Sequence, residues 1–128
     1  MKAIQESFDI IKRSGILLIV APKKESNFDH NREVTSFEHL LKDFTSNTNE
    51  EDLTHLNEIL ELHDLSMDTP AGTPEQFRER SLKNYSNRAL HQHVFDMKLL
   101  YKIYTTFGLE VVFMGRTVHD YIIVGRKI

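Results

Sequence analysis

Two histidines one residue apart, His91 and His93, have the spacing in this chain that most directly suggests chemistry. If the stretch 87–96 (NRALHQHVFD) is extended, both rings project from the same face, because alternate side chains of a strand share a face. Paired imidazoles can hold a transition metal, or they can accept and donate protons in a reaction. A third interpretation is that both are ordinary polar groups satisfied by hydrogen bonds.

A metal site would need ligands beyond the His-x-His pair. The sequence offers Asp29, Glu38 and His39 as residues that could complete a zinc or iron coordination sphere. The chain contains seven histidines, but it has no HExxH-type pattern and no cysteine. A metal therefore stays one of three interpretations, and the sequence assigns no residue as a metal ligand.

Composition limits the classes of protein to which the chain can belong. Its 128 residues are 40% hydrophobic, which suits a single domain with one core. A formal net charge of −3 and widely separated basic pairs argue against binding nucleic acid or an anionic membrane. The longest apolar run, 16–22, is far shorter than the ~20 residues that span a bilayer. Charged residues near the N-terminus and the absence of cysteine favour a cytoplasmic location.

The first segment, 1–22, predicts a helix followed by a buried strand. Ile4, Phe8 and Ile11 fall on one helical face, and Gly15 lies where a left-handed residue would end the helix. The run ILLIVAP that follows has no polar alternation, which is typical of a central parallel strand covered on both faces.

The second segment, 23–88, is polar and predicts a helical insertion. Three hydroxyl residues, Thr35, Thr48 and Thr73, each precede a Glu or Gln by three positions, which is the spacing of a capping box. Pro74 follows the last of them, at a position where its missing N–H does no harm. The apolar stripes of these three helices are narrow, which indicates that the helices lie over another element.

The third segment, 89–128, returns to an alternation of strand and helix. We expect an extended stretch around the histidines, then a helix that begins after Asp96 and ends at Gly108. Two strands, LEVVFM and DYIIVGRK, follow and are separated by a loop short enough to favour antiparallel pairing.

These segments resemble the C-terminal half of class I S-adenosylmethionine-dependent methyltransferases. FDIIKRSGILLIVAPKK is similar to the helix and fifth strand of that family, and HVFDMKLLYKIYTTFGLEVVFMGR is similar to its closing section. DYIIVGRK resembles the antiparallel seventh strand that returns into the family's sheet. FDHNREVTSFEHLLKDF resembles a segment that follows the fifth strand in one subgroup. The positions that match the subgroup are Asp29, Arg32, Val34, Thr35, Glu38, His39, Leu40, Asp43, Phe44, His91, His93, Val94 and Phe95.

The resemblance implies an α/β fold with a partial Rossmann-like sheet: one central parallel strand, a C-terminal antiparallel strand pair and a helical insertion. Ligands of such folds gather beyond the carboxyl ends of the parallel strands. His91 and His93 would there be catalytic, because an imidazole with an unperturbed pKa of ~6.5 can take a proton from an acceptor that attacks the sulfonium methyl. The residues expected to bind a small-molecule acceptor are Asp29, Arg32, Glu38 and His39.

The cofactor-binding half of that family has no counterpart in this sequence. It is marked by a Gly-rich turn after the first strand, whereas this chain has five glycines and no G-x-G spacing. We therefore assign no cofactor-binding residue and expect no binding of S-adenosylmethionine by this chain alone. An open edge at ILLIVAP would pair with a cofactor-binding half or with a second copy in a homodimer. The alternatives are a non-catalytic interaction module and a small histidine-dependent metal-binding protein.

Overall fold

The fold is mixed α/β and is built on one three-stranded antiparallel sheet; the computed structural model describes residues 1–128. The strands are β1 (Ile16–Pro22), β2 (Leu109–Arg116) and β3 (Asp120–Lys127), in the sheet order β1-β3-β2. Because β3 is antiparallel to both neighbours, β1 and β2 run parallel to each other. The helices are α1 (Lys2–Ile10), α2 (Phe37–Thr45), α3 (Leu56–Leu62), α4 (Pro74–Leu82), α5 (Asn84–Asn87) and α6 (Met97–Thr106).

The expectation of a buried central parallel strand at 16–22 is wrong. Strand β1 lies at the edge of the sheet and pairs only with β3, in antiparallel register from Ile16 with Arg126 to Pro22 with Asp120. Its burial alternates: Leu18 is 57% exposed, whereas Ala21 is 6% exposed. An unbroken aliphatic sequence therefore forms a strand of which only one face is covered.

One hydrophobic core lies between the inner face of the sheet and the helices α1, α2 and α6. Helix α6 contributes most to it, because its spacing directs one apolar side at the strands. The buried residues of this core are Ile4, Ala21, Leu40, Leu99, Leu100, Ile103, Tyr104, Leu109 and Ile123. A second, smaller cluster of Ile59, Ala71 and Phe77 joins α3 to α4. The sheet and α6 thus form one packed unit, and the segment 23–96 packs against this unit.

The outer face of the sheet carries apolar side chains that remain exposed. On β1 these are Ile16, Leu18 and Val20, each more than half exposed, and on β2 Phe113 is 53% exposed. None of these four residues belongs to the core or packs against it. The fold therefore leaves one apolar sheet face uncovered and the outer edges of β1 and β2 without a strand partner.

Two of the predicted helix caps are present, one is displaced by a residue and one is absent. Thr73 and Gln76 form the capping box of α4, and Asp96 accepts a hydrogen bond from the backbone N–H of Leu99 at the start of α6 (2.7 Å). The cap of α2 is Ser36 rather than Thr35, whose hydroxyl instead accepts from the Val94 N–H. Thr48 starts no helix, because α3 begins only at Leu56.

The end of α1 also differs from the sequence expectation. Helix α1 ends at Ile10, and the residue with left-handed backbone is Ser14 (φ 64°) rather than Gly15. Gly15 is needed for another reason, since a Cβ there would lie 2.7 Å from the backbone carbonyl oxygen of Lys12 and would collide with the Ile11 side chain. Gly108, by contrast, has the expected left-handed conformation (φ 76°) after α6. None of these helices combines the length and the apolar character that crossing a membrane would require.

Candidate functional site

The six residues that the sequence singled out do not form one group. Asp29, Arg32 and His91 lie together, and we call them the Asp29–His91 pair with its arginine. His39 and His93 belong to a second group with Asp43 and His55, which we call the histidine cluster. Glu38 belongs to neither group.

The two histidines of the His-x-His motif are divided between these groups. Residues 88–96 have no regular strand structure, so the expected extended strand around the histidines is wrong. Nδ1 of His91 donates to Oδ2 of Asp29 at 2.7 Å, whereas Nε2 of His93 contacts Oδ2 of Asp43 at 2.8 Å. Each imidazole therefore has its own carboxylate.

Arg32 is the buried residue around which the first group is built. Its guanidinium is 1% exposed and donates to Asp29 (3.0 Å) and Glu58 (3.1 Å). It also donates to the backbone carbonyls of His91 (2.6 Å) and Gln92 (3.2 Å). A planar guanidinium has enough donors to serve all four acceptors. Arg32 thus fixes the backbone at 91–92 instead of offering its charge to a ligand, which differs from its predicted role in binding the acceptor.

Asp29 is buried and remains a carboxylate. Burial alone would raise its pKa, but hydrogen bonds and charge interactions with His91 and Arg32 outweigh the burial and lower the pKa below its ordinary value. The backbone N–H of Asp29 is held in turn by the side chain of Asn27 at 2.7 Å. A fixed carboxylate that binds one ring nitrogen orients the imidazole and leaves Nε2 of His91 available to a ligand.

The Asp29–His91 pair lines a cavity beyond the carboxyl end of β1. The cavity has a volume of about 350 Å³, and its wall includes Pro22 at the end of β1, Lys24 and the backbone stretch 90–95. The His91 side chain is 40% exposed, so its ring can be reached from solvent. The site therefore combines an oriented imidazole, a lysine and a concave surface.

The histidine cluster is formed by three separate segments of the chain. His39 and Asp43 are one turn apart on α2, His55 precedes α3, and His93 comes from the irregular stretch before α6. Nε2 of His39 lies 2.9 Å from Nε2 of His55 and 3.2 Å from Oδ2 of Asp43. Burial lowers the pKa of His93, although the hydrogen bond with Asp43 opposes this shift. The side chains are partly buried, with exposed fractions from 14% for His55 to 35% for His39.

A carboxylate joins the two groups. Oε1 of Glu58 accepts from Nε of Arg32, and Oε2 of Glu58 lies 3.5 Å from Nδ1 of His55. Glu38, expected at the acceptor site, instead lies on the surface with its side chain 77% exposed and 3.4 Å from Nζ of Lys102. The Asp29–His91 pair and the histidine cluster are thus parts of one polar network, and Glu38 lies outside it.

Sequence reasoning missed Asp43, His55 and Glu58 as members of this network. The signal for Asp43 was present, because His39 and Asp43 are spaced i, i+4 on a predicted helix and so share a face. His55 and Glu58 carried no comparable signal, since their proximity to His93 and Arg32 depends on how the insertion folds back. No family model, no curated protein and no solved structure matches this chain.

Proposed function

We propose that this chain is the C-terminal, acceptor-binding part of an S-adenosylmethionine-dependent methyltransferase, and that His91 removes the proton from the acceptor. A cofactor-binding segment, from elsewhere in the same protein or from a second chain, completes the site. The other residues that the sequence suggested have different roles in this proposal. Asp29 orients His91, Arg32 holds Asp29, and neither the acceptor nor its proton is contacted by His93, Glu38 or His39.

The proposal rests on the position of the Asp29–His91 pair beyond the carboxyl end of β1. A buried carboxylate on Nδ1 fixes the ring and stabilises the imidazolium that forms when Nε2 accepts a proton. Lys24 lines the same cavity and can attract an anionic acceptor. Methyl transfer otherwise requires that the nucleophile and the sulfonium carbon be held in line, which is a matter of positioning rather than of further acid or base groups.

The arrangement of the sheet supports the same proposal. Strands β1 and β2 are parallel, and β3 lies between them in the opposite direction, which agrees with a family whose last strand returns antiparallel into the sheet. The free edge of β1 and the apolar side chains of Ile16, Leu18 and Val20 are where further strands and a covering layer would attach. We propose that the cofactor-binding segment attaches there.

A second candidate function is that of a non-catalytic interaction module. The exposed apolar face of the sheet favours it, because a surface of this kind is usually covered by a partner. In this case a second copy of the chain, in a homodimer, would cover the face in place of a cofactor-binding segment. The two functions differ in whether His91 matters: an interaction module needs the sheet face and does not need the Asp29–His91 pair.

The test uses the native protein or complex that contains this chain, purified through a tag on the chain. We expect it to bind S-adenosylmethionine in calorimetry and to transfer labelled methyl groups to a component of the small-molecule fraction of its own cell extract. His91→Gln should lower the transfer rate by about 10²–10⁴-fold, the usual contribution of a general base, while cofactor binding is retained.

Glu79→Gln is the control, since Glu79 is exposed on α4 and lies outside the cavity and away from the sheet. It should leave the transfer rate unchanged. The proposal fails if the native assembly binds no S-adenosylmethionine, or if His91→Gln transfers methyl groups at the original rate. Micromolar binding of S-adenosylmethionine by the isolated chain would contradict the assignment of cofactor binding to another segment.

A further inference from the structure

We propose that the histidine cluster of His39, Asp43, His55 and His93 is a binding site for one zinc ion. Each of the four residues offers one ligand atom, and these four atoms all lie within 4.8 Å of one another. Three imidazole nitrogens and one carboxylate oxygen are a donor set that suits tetrahedral Zn²⁺. None of the four ligands is Asp29 or His91, so the zinc proposal does not depend on the methyltransferase proposal, although Glu58 connects the two groups.

The spacing of the ligand atoms is close to that of a tetrahedral site. Ligand atoms at about 2.0–2.1 Å from a zinc ion are ~3.3 Å apart along each edge of the tetrahedron. Three of the contacts in the cluster are 2.9 Å (His39 to His55), 3.2 Å (His39 to Asp43) and 2.8 Å (His93 to Asp43). All four ligand atoms lie within 4.8 Å of one another, so a tetrahedral arrangement requires the farther pairs to approach by up to ~1.5 Å through side-chain rotation.

Hydrogen bonding alone serves this arrangement poorly. Nε2 of His39 lies within hydrogen-bond distance of both His55 Nε2 and Asp43 Oδ2, although the atom carries either one proton or one lone pair. If it carries a proton, its two contacts share that proton; if it carries a lone pair, it faces the Asp43 carboxylate. His93 directs a further nitrogen at the same Asp43 oxygen. A divalent cation at the centre satisfies all four donor atoms at once.

The residues around the cluster are arranged to orient its ligands. His39 and Asp43 are one turn apart on α2, so both project from one face of that helix. Glu58 lies 3.5 Å from Nδ1 of His55, the position of a carboxylate that holds the far side of a metal-bound imidazole. Arg32 fixes Glu58 in turn with a 3.1 Å hydrogen bond. His55 is thereby turned so that Nε2 points toward the other ligands.

Four protein ligands leave no open coordination position, which is the property of a structural zinc site. The ligands come from α2, from the residue before α3 and from the irregular stretch before α6, so a bound ion would join three separate segments of the chain. An unfolded chain does not hold these ligands together. Zinc should therefore bind the folded state selectively and stabilise it.

The experiment uses the full chain, stripped of metal with a chelator and titrated with zinc chloride. We expect one zinc ion per chain in calorimetry, a higher Tm with zinc than without it, and no such effect of magnesium, which prefers oxygen ligands. Cobalt as a substitute should give the intense visible absorption of a tetrahedral site. In the wild-type chain, zinc should shift the ring ¹⁵N resonances of His39, His55 and His93.

The variants identify the ligands. His39→Gln and His55→Gln should each weaken zinc binding by at least 100-fold. Glu58→Gln, which removes the carboxylate charge shared by His55 and Arg32, should weaken it by about 10–100-fold. His119→Gln, in an exposed loop, is the matched control and should bind zinc as the wild type does. His91→Gln should also retain zinc, which separates this site from the one proposed for methyl transfer.

Several results would overturn the proposal. The proposal is wrong if the wild-type chain takes up no stoichiometric zinc. It is also wrong if zinc shifts the ring resonances of histidines outside the cluster and not those of His39, His55 and His93. Equal affinity in His39→Gln, His55→Gln and the wild type would also overturn it. The ¹⁵N experiment uses the wild-type chain, so it can refute the proposal even if one of the variants does not fold.

Discussion

At the scale of single residues, the insertion is organised by buried polar groups that each have several partners. Arg32 binds two carboxylates and two backbone carbonyls, and His63 is held between the rings of Phe28 and Phe77 at centroid distances of 4.3 Å. Such groups are costly to leave unpaired, because a buried polar atom without its partner retains the full cost of desolvation. Substituting one of these buried groups should therefore lower the stability of the fold more than substituting a member of an exposed ion pair.

Arg32→Met should lower the free energy of unfolding by ~3 kcal/mol or more. The substitution leaves Asp29 buried without its guanidinium partner, and such broken buried pairs typically cost 3–5 kcal/mol. Urea unfolding followed by circular dichroism measures the change. Arg88→Met is the control, since the Arg88 side chain is 73% exposed and its 3.6 Å contact with Glu50 is worth less than ~1 kcal/mol. Equal losses of unfolding free energy in the two variants would show that the buried contacts of Arg32 stabilise the fold no more than an exposed ion pair does.

His63 should make the stability of the fold depend on pH below neutrality. Burial lowers the pKa of His63 from its ordinary value of 6.5, although Asp68 opposes the shift. Between the lowered folded pKa and 6.5, the unfolded chain binds more protons than the folded one, so the free energy of unfolding rises with pH in that window. The contribution is complete above pH 6.5 and is lost as the pH falls through the folded pKa.

His63→Gln tests this dependence and keeps a donor for Asp68. Free energies of unfolding measured across this pH range should rise less steeply in the variant than in the wild type. The comparison is needed because the lowered pKa of His93 acts in the same direction. Parallel pH profiles for the two proteins would mean that His63 is not held neutral by the fold.

At the scale of elements, α6 is the helix on which the sheet depends. It supplies four buried residues to the core, and one of them, Tyr104, packs directly over Gly125 of β3. A Cβ at Gly125 would lie 2.5 Å from the Tyr104 ring, so this glycine is required by close packing rather than by its φ angle. The start of α6 also brings His93, three residues before Asp96, to the histidine cluster.

Asp96→Ala should lower the free energy of unfolding by ~1 kcal/mol, because the first turn of α6 loses the side chain that caps it. The Asp96 side chain accepts from the Leu99 N–H at 2.7 Å. Asp96→Asn is the matched control, since asparagine caps a helix about as well as aspartate and should retain most of the stability. Chemical denaturation measures both variants, and a loss as large in Asp96→Asn as in Asp96→Ala would mean that the cap is not the cause.

At the scale of the whole molecule, the fold has helices on only one side of its sheet. The helices α1, α2 and α6 cover the inner face, whereas Ile16, Leu18, Val20 and Phe113 on the outer face are each more than half exposed. A strand edge next to an exposed apolar face is an arrangement that invites pairing. Association through this surface is therefore expected of the chain, with a cofactor-binding segment or, in its absence, with a second copy.

Leu18→Lys and Ile19→Lys should separate association from folding. Leu18 is 57% exposed on the outer face, so lysine there should change the stability by less than ~1 kcal/mol and should abolish self-association. Ile19 packs against the core, so lysine at that position should cost ~3 kcal/mol or unfold the chain. Sedimentation at micromolar concentration and urea unfolding measure the two effects. A wild-type chain that sediments as a monomer, with no partner in its native source, would refute the predicted association.

The local structure could be predicted wherever neighbouring residues decide it. The capping box at Thr73, the cap at Asp96 and the left-handed Gly108 follow from interactions within four residues along the chain. The displaced cap at Thr35 has the opposite cause, because its hydroxyl binds the Val94 N–H, 59 residues away. Aliphatic composition predicted that 16–22 is a strand, but it could not predict which strand would pair with it or that one face would stay uncovered.

The sequence by itself determined that the chain has a helix–strand beginning, a polar helical middle and a helix–hairpin ending, because periodicity, caps and turns are local properties. Only the tertiary structure decided how the candidate residues group. His91 and His93 are neighbours in sequence, yet they bind Asp29 and Asp43, which are 62 and 50 residues away. The reason is physical: a site is made of contacts between distant segments, and those contacts follow from the packing of the whole chain.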